Sequence, residues 1–267
     1  MAPTATYDTA PEHSFSGFIL PDLVSDCHYP LLLSSHCYKV ARASEQWLLQ
    51  GARLVEPRIT KFMGLKAGEL TAACYPDADE FHLRVCSDFM NWLFNMDDWL
   101  DEFDVTDTWG MRECCIGAFR DPNHFETNKL GGLMSKSCVA FFFFFASVEK
   151  KLNAKWNRFF GRFIQTGGPG CTKRFIHTMD LFFIAVAKQA DDRANGRIPD
   201  LESYITVRRD TSGCKPCFAL IEYAARIDLP DEVMSHPVIM AMEEATNDLV
   251  TWSNVIFFSF RAPLCKS

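Results

Sequence analysis

No stretch of this 267-residue chain stays apolar for the ~20 consecutive positions that a membrane-spanning helix requires. The most apolar block, Val139–Ala146 with its five consecutive phenylalanines, falls far short, so no transmembrane segment is expected. A surplus of positive charge is also missing: 27 Lys and Arg stand against 34 Asp and Glu, a formal charge of −7. Such a balance gives no basic face to follow a phosphate backbone or an anionic bilayer, which argues against nucleic acid and membrane surfaces as partners. Any polyanionic ligand would need metal as an intermediary. Met1–Phe18 lacks the basic stretch and apolar core of a secretory signal and carries Asp8, Glu12 and His13 instead, so a cytoplasmic location is expected. The eleven cysteines are odd in number, and the chain is too long to need staples in place of a core; reduced thiols follow. Neither a glycine-rich phosphate loop nor a nucleophile elbow is present.

What is present is an ordinary globular composition, 48% hydrophobic and 23% charged. Apolar positions recur every three or four residues in most long windows and strand-like alternation is scarce, which predicts an all-α bundle. Helices are expected over roughly Leu31–Gly51, Ala67–Cys74, Asp77–Phe103, Thr108–Phe119, Thr172–Asn195, Asp200–Thr211, Cys217–Ala225, Asp231–His236 and from Val238 to about Asn254. Pro and Gly punctuate the chain at Asp121-Pro122, Gly167–Gly170, Asn195–Pro199 and Leu229-Pro230 without making a linker, so residues 1–267 read as one domain without repeats. Two segments look foreign: Cys138–Asn157, a phenylalanine block joined to a lysine-rich stretch, and Val255–Ser267, which is apolar and then ends.

The chemistry concentrates where Phe89–Met96 runs into Asp97-Asp98-Trp99-Leu100-Asp101-Glu102. On a helix Asp97 and Asp101 lie one turn apart on a shared face with Asp98 beside them, so their oxygens can converge on divalent ions. Hard oxygen ligands of this kind suit Mg²⁺, which retains waters and bridges to phosphates. A solvated acidic helix end is the competing reading, and the aromatic helix that carries the acids weighs against it.

Phe94–Asp104 (FNMDDWLDEFD) resembles the aspartate-rich motif of class I terpene synthases, in particular fungal (basidiomycete-type) sesquiterpene cyclases. Phe119–Pro122, Phe175–Phe183, Arg193–Pro199, Tyr204–Cys217 and Asn247–Asn254 agree in order, so the resemblance covers most of Phe18–Asn254. It implies the isoprenoid-synthase helical bundle, farnesyl diphosphate as substrate, three Mg²⁺ ions between two metal motifs, release of diphosphate, and a monomer or weak homodimer. Asp97, Asp98 and Asp101 would hold metal. Arg208 would be the diphosphate sensor, lying at a family-like spacing before Asn254, and Thr211-Ser212-Gly213 would be the helix break that carries its movement. Phe94 and Phe89 are candidate wall residues for the substrate, against ordinary core packing. The stretch from Arg208 to Ala225 is similar to cyclases that form humulyl-derived skeletons such as protoilludene.

The second metal motif departs from the pattern N-D-x-x-S-x-x-x-E. Aligned on Asn254, its remaining positions are Val255, Phe258 and Ala262, so only the asparagine survives. An alignment on Asn247 keeps Thr251 and still loses the glutamate at Val255; Asn254 fits the Arg208 spacing better. The family would continue with further helices and an Arg-Tyr pair. Cys138–Asn157 and Val255–Ser267 therefore read as an insertion and a non-native tail, translated from retained introns, in a domain missing its C-terminal helices, and impaired activity is expected. A chain-elongating prenyl diphosphate synthase is disfavoured because it would carry two aspartate-rich motifs; a catalytically silent prenyl-diphosphate-binding protein remains the non-enzyme alternative. Asp191-Asp192 reads as a solvated helix end, Cys214/Cys217 as packing cysteines, and His177 as a buried structural histidine.

Overall fold

The computed structural model describes residues 25, 27–52, 54–121 and 159–261. Helices α1 (Cys37–Ala52), α2 (Arg58–Leu65), α3 (Ala67–Cys74), α4 (Glu80–Leu100), α5 (Val105–Arg120), α6 (Phe159–Thr166), α7 (Pro169–Ala194), α8 (Leu201–Thr211), α9 (Cys214–Ala225), α10 (Asp231–Met234) and α11 (Pro237–Arg261) follow in order. There is no strand among the described residues. All eleven belong to one compact unit, Leu32–Ser267; the described residues before it contain no helix. The Cys138–Asn157 segment lies outside the described residues, as do positions 262–267, while the backbone of 255–261 continues α11.

Aspartates set most helix starts. Asp79, Asp104 and Asp200 each accept the backbone N–H three residues on, at 2.9, 2.8 and 2.8 Å, satisfying one donor of the open first turn. The Asp104 cap explains why α5 begins at Val105, ahead of the expected Thr108. α7 starts with Pro169 in its first turn, where a missing N–H costs nothing. α9 likewise begins at Cys214, before the expected Cys217, because Pro216 is tolerated within the opening turn. The first expected helix is corrected at its N-terminus: Leu31–Leu33 are exposed and non-helical, and α1 waits until Cys37. Two helices are additions to the sequence reading, α2 and α6.

α4 packs against α1, α3, α6 and α9, and α7 against α5, α8 and α9. The two long helices meet through aromatic rings: Phe89 lies 5.0 Å from Phe175, Phe175 lies 5.7 Å from Phe119, and Phe163 stacks on Tyr223 at 4.5 Å. Edge-on and stacked rings of this kind supply directional contact beyond their area burial. A fully buried carboxylate, Asp88, joins α4 to α6 by pairing with Arg84 at 2.8 Å and with Arg162. Glu222, 3% exposed, holds the opposite side together. It accepts two hydrogen bonds from Arg174 (2.9 and 2.7 Å) and one from the Leu229 N–H (2.9 Å), while Asp228 caps α7 through the Gly170 and Cys171 N–H groups.

α11 inverts the usual amphipathic arrangement. Asn247 and Thr251 are each 1% exposed, whereas Val238, Met242 and Leu249 face outward. Polar contacts, not apolar ones, seat the middle of this helix on its neighbours.

Candidate active site

The acids at the end of α4 sort into two faces. The Asp101 N–H bonds to the Asp97 carbonyl at 3.1 Å, so the two residues bracket one turn. Asp97 is reached by solvent at its tip. Burial of its surroundings, together with the like charges of Asp101 and Asp98, pushes its carboxyl up to about 6; Arg208 and Lys61 pull the other way. Asp98 turns instead toward α2, where Lys61 Nζ lies 2.7 Å from its Oδ1. One turn on, Glu102 accepts from Arg58 at 2.8 Å. Between these faces Met96, Trp99 and Leu100 are buried and fix the helix rotation.

Arg208 and Arg209, adjacent at the end of α8, have separate tasks. Arg208 Nη2 donates to Asn254 Oδ1 at 3.2 Å, and its charge reaches Asp97, so it links α8 and α11 to the acidic end of α4. Arg209 is spent structurally, on Asp248 at 2.7 and 2.6 Å and on Glu244 at 2.9 Å. Ser212 and Thr251 both donate to Asn247 Oδ1 (2.8 and 3.0 Å), and Asn247 Nδ2 donates to the Arg209 carbonyl (2.8 Å). The hydrogen-bonding capacity of Asn247 is thus occupied in holding helices together, while Asn254 is exposed beside Arg208; this geometry favours Asn254 over Asn247 as the residue facing a ligand. Thr211 is buried and contacts the Arg208 guanidinium at 3.5 Å. Gly213 adopts φ 72°, and a Cβ there would stand 3.1 Å from Leu93 of α4, so the α8–α9 break rests directly on the helix that bears the aspartates.

Phe94, one turn before Asp97 and Asp98, is half-buried against the core. Phe89 is placed otherwise than a wall residue: at 0% exposure it is enclosed by Trp92 and Phe175, in the packed aromatic centre. His177 is corrected from buried to exposed, because α7 turns Phe175, Met179 and Phe182 inward and leaves position 177 on the outer side. Asp191 and Asp192 pair with Arg197 at a solvated helix end, as expected. Cys214 is buried, Cys217 lies 3.4 Å from the Met90 sulfur, and the nine described cysteines are free thiols. Among the described residues no three His, Cys, Asp or Glu side chains are arranged to hold a metal ion. Two surface depressions, of about 760 and 310 Å³, lie along α7 and share no residue with the Asp97–Arg208–Asn254 group. No helix among the described residues is long and apolar enough to cross a membrane.

Sequence reasoning missed Lys61 and Arg58. Their one-turn spacing matches that of Asp98 and Glu102 with opposite sign, a signal readable only once α2 is recognised as a helix.

An all-α bundle with aspartates at one helix end, an arginine beside them and an asparagine amide across from it defines a class of metal-dependent isoprenoid enzymes. Comparison agrees: the family model described as "Terpene synthase family 2, C-terminal metal binding" matches residues 88–259. The chain is 46% identical over 239 residues to sesquiterpene synthase 1 of Postia placenta, covering 90% of this chain and 64% of that protein. It is 43% identical over 253 residues to sesquiterpene synthase Agr1 of Cyclocybe aegerita, covering 93% and 67%. In fold it is similar to linalool/nerolidol synthase from Streptomyces clavuligerus, with a TM-score of 0.69 at 18% identity over 87% of this chain and 73% of that one. The chain belongs to the terpene synthase family. It spans about two thirds of the length of these fungal relatives.

Proposed function

We propose that the chain acts as a class I sesquiterpene synthase, ionising and cyclising farnesyl diphosphate with release of diphosphate, in the cytoplasm as a monomer or weak homodimer. The observation that carries this reading is the meeting of three helices: Arg208 of α8 donates to Asn254 of α11 and lies within electrostatic reach of Asp97 on α4. The donor set suits a hard divalent ion. Asp97 holds a carboxyl raised by crowded negative charge, Asp101 shares its face, and Asn254 adds an amide oxygen. Mg²⁺ bound there would offset the charge that develops on the departing diphosphate.

The protein's own groups supply the remainder. The Arg208 fork can donate parallel hydrogen bonds to phosphate oxygens, and it stabilises the leaving group more as charge accumulates than before. Thr211, Ser212 and Gly213 join that arginine to α9 and, through Leu93, to α4, so displacement of the guanidinium is felt at the acidic end. Phe94 borders the acids and offers a ring face, which stabilises carbocations without quenching them.

A second reading, binding of prenyl diphosphate without turnover, draws support from Val255, Phe258 and Ala262, which offer no ligand where the family pattern has them. Incubation of the purified chain with farnesyl diphosphate and Mg²⁺, with parallel measurement of released diphosphate, volatile products and equilibrium binding, separates the two. Cyclised product supports the synthase; Mg²⁺-dependent binding with neither product nor diphosphate supports the silent form. Absence of both binding and turnover overturns the proposal, as does elongation on adding isopentenyl diphosphate.

A further inference from the structure

The acidic end of α4 carries four carboxylates, and α2 carries two cations spaced to meet half of them. Lys61 bonds Asp98 at 2.7 Å and Arg58 bonds Glu102 at 2.8 Å, so two ion pairs run side by side between the helices. Asp97 and Asp101 are turned away from these pairs, and no three acidic side chains converge among the described residues. Resting on the metal-site reading above, we propose that Lys61 is a positioning residue that draws Asp98 out of the metal-ligand set and reserves metal binding for Asp97 and Asp101. Arg58 and Glu102 hold α2 in register for that contact. The arrangement has a physical rationale. Three unshielded carboxylates on adjacent helix positions repel one another, and an internal ammonium relieves that repulsion without occupying the face where a divalent ion would bind. It also divides two chemically identical side chains, Asp97 and Asp98, between separate duties.

Mn²⁺ is a paramagnetic probe for such a site, and its free concentration can be read by electron paramagnetic resonance on the intact chain, independently of turnover. Asp97→Asn and Asp101→Asn should weaken Mn²⁺ binding by about tenfold or more, whereas Asp98→Asn should leave it within about threefold of the parent. Lys61→Met should tighten binding by about threefold, the scale of one exposed ion pair. The double variant Lys61→Met/Asp98→Asn should lose that gain, and Lys61→Arg should match the parent. Circular dichroism checks that each variant folds. If Asp98→Asn weakens Mn²⁺ as much as Asp97→Asn, or if Lys61→Met leaves affinity unchanged, the assignment of Lys61 is overturned while the metal site stands. If Asp97→Asn binds like the parent, or the parent binds no Mn²⁺, the metal reading itself fails and this proposal with it.

Discussion

Replacing Asp97 by asparagine should make the metal-free protein more stable at neutral pH, and the effect should fade in acid. Burial and its acidic neighbours raise the Asp97 carboxyl from 3.8 to about 6, so its ionised form is penalised in the folded state. A group raised in this way favours folding fully below its unfolded value and loses that contribution as pH climbs through the folded one. The shift sets a ceiling of about 3 kcal/mol. Because the carboxylate reaches solvent, screening reduces this to about 1 kcal/mol. For a chain of this size the corresponding gain is about 2–4 °C in Tm at pH 7.5, shrinking to less than half of that at pH 4.5. Thermal unfolding followed by far-UV circular dichroism in metal-free buffer at both pH values gives the comparison directly. An equal gain at both pH values, or a loss of stability at pH 7.5, would refute the claim that crowded negative charge surrounds this carboxylate.

Phe89→Ala should cost about 3–5 kcal/mol, seen as a large drop in the urea midpoint, because it empties the ring cluster against Phe175. Phe94→Ala, at a half-buried position beside the acids, should cost less and instead alter the product profile by gas chromatography of a turnover mixture. Glu222→Ala should destabilise by about 3–5 kcal/mol, since it leaves Arg174 facing a buried void and strips the Leu229 N–H of its acceptor. Gly213→Ala should lower stability by about 1–3 kcal/mol through its left-handed φ and its clash with Leu93, and should weaken inorganic diphosphate binding by calorimetry if the break transmits to Arg208.

The long elements were readable because their periodicity is unbroken: α4 combines an aspartate cap with an apolar face that persists to Leu100, and α7 repeats apolar positions from Phe175 to Val186. α2 was not, because RITKFMGL is too short for a period to emerge and is bounded by Pro57 and the left-handed Lys66. α6 was hidden by its place directly after the foreign-looking stretch. In the candidate site, the grouping of Arg208 with Asn254 could be anticipated from their spacing. The diversion of Asp98 to Lys61 could not, since it depends on how an unforeseen helix docks. Phe89 and Phe94 look alike in sequence; helix rotation alone sends one into the aromatic centre and leaves the other near the acids.

The polar seat of α11 sets the angular phase of that helix. Asn247 is gripped by Ser212, Thr251 and the Arg209 carbonyl, and each bond has a direction that a sliding apolar surface would lack. Asn254 lies two turns further along the same rod, so its bearing toward Arg208 is inherited from that grip, much as a key tooth is aimed by its shank. An extra residue inserted after Trp252 would swing Asn254 by about 100° while leaving the grip untouched. Length variation between positions 247 and 254 is therefore forbidden to any descendant of this sequence that keeps the arginine contact, however freely the outward-facing side chains drift.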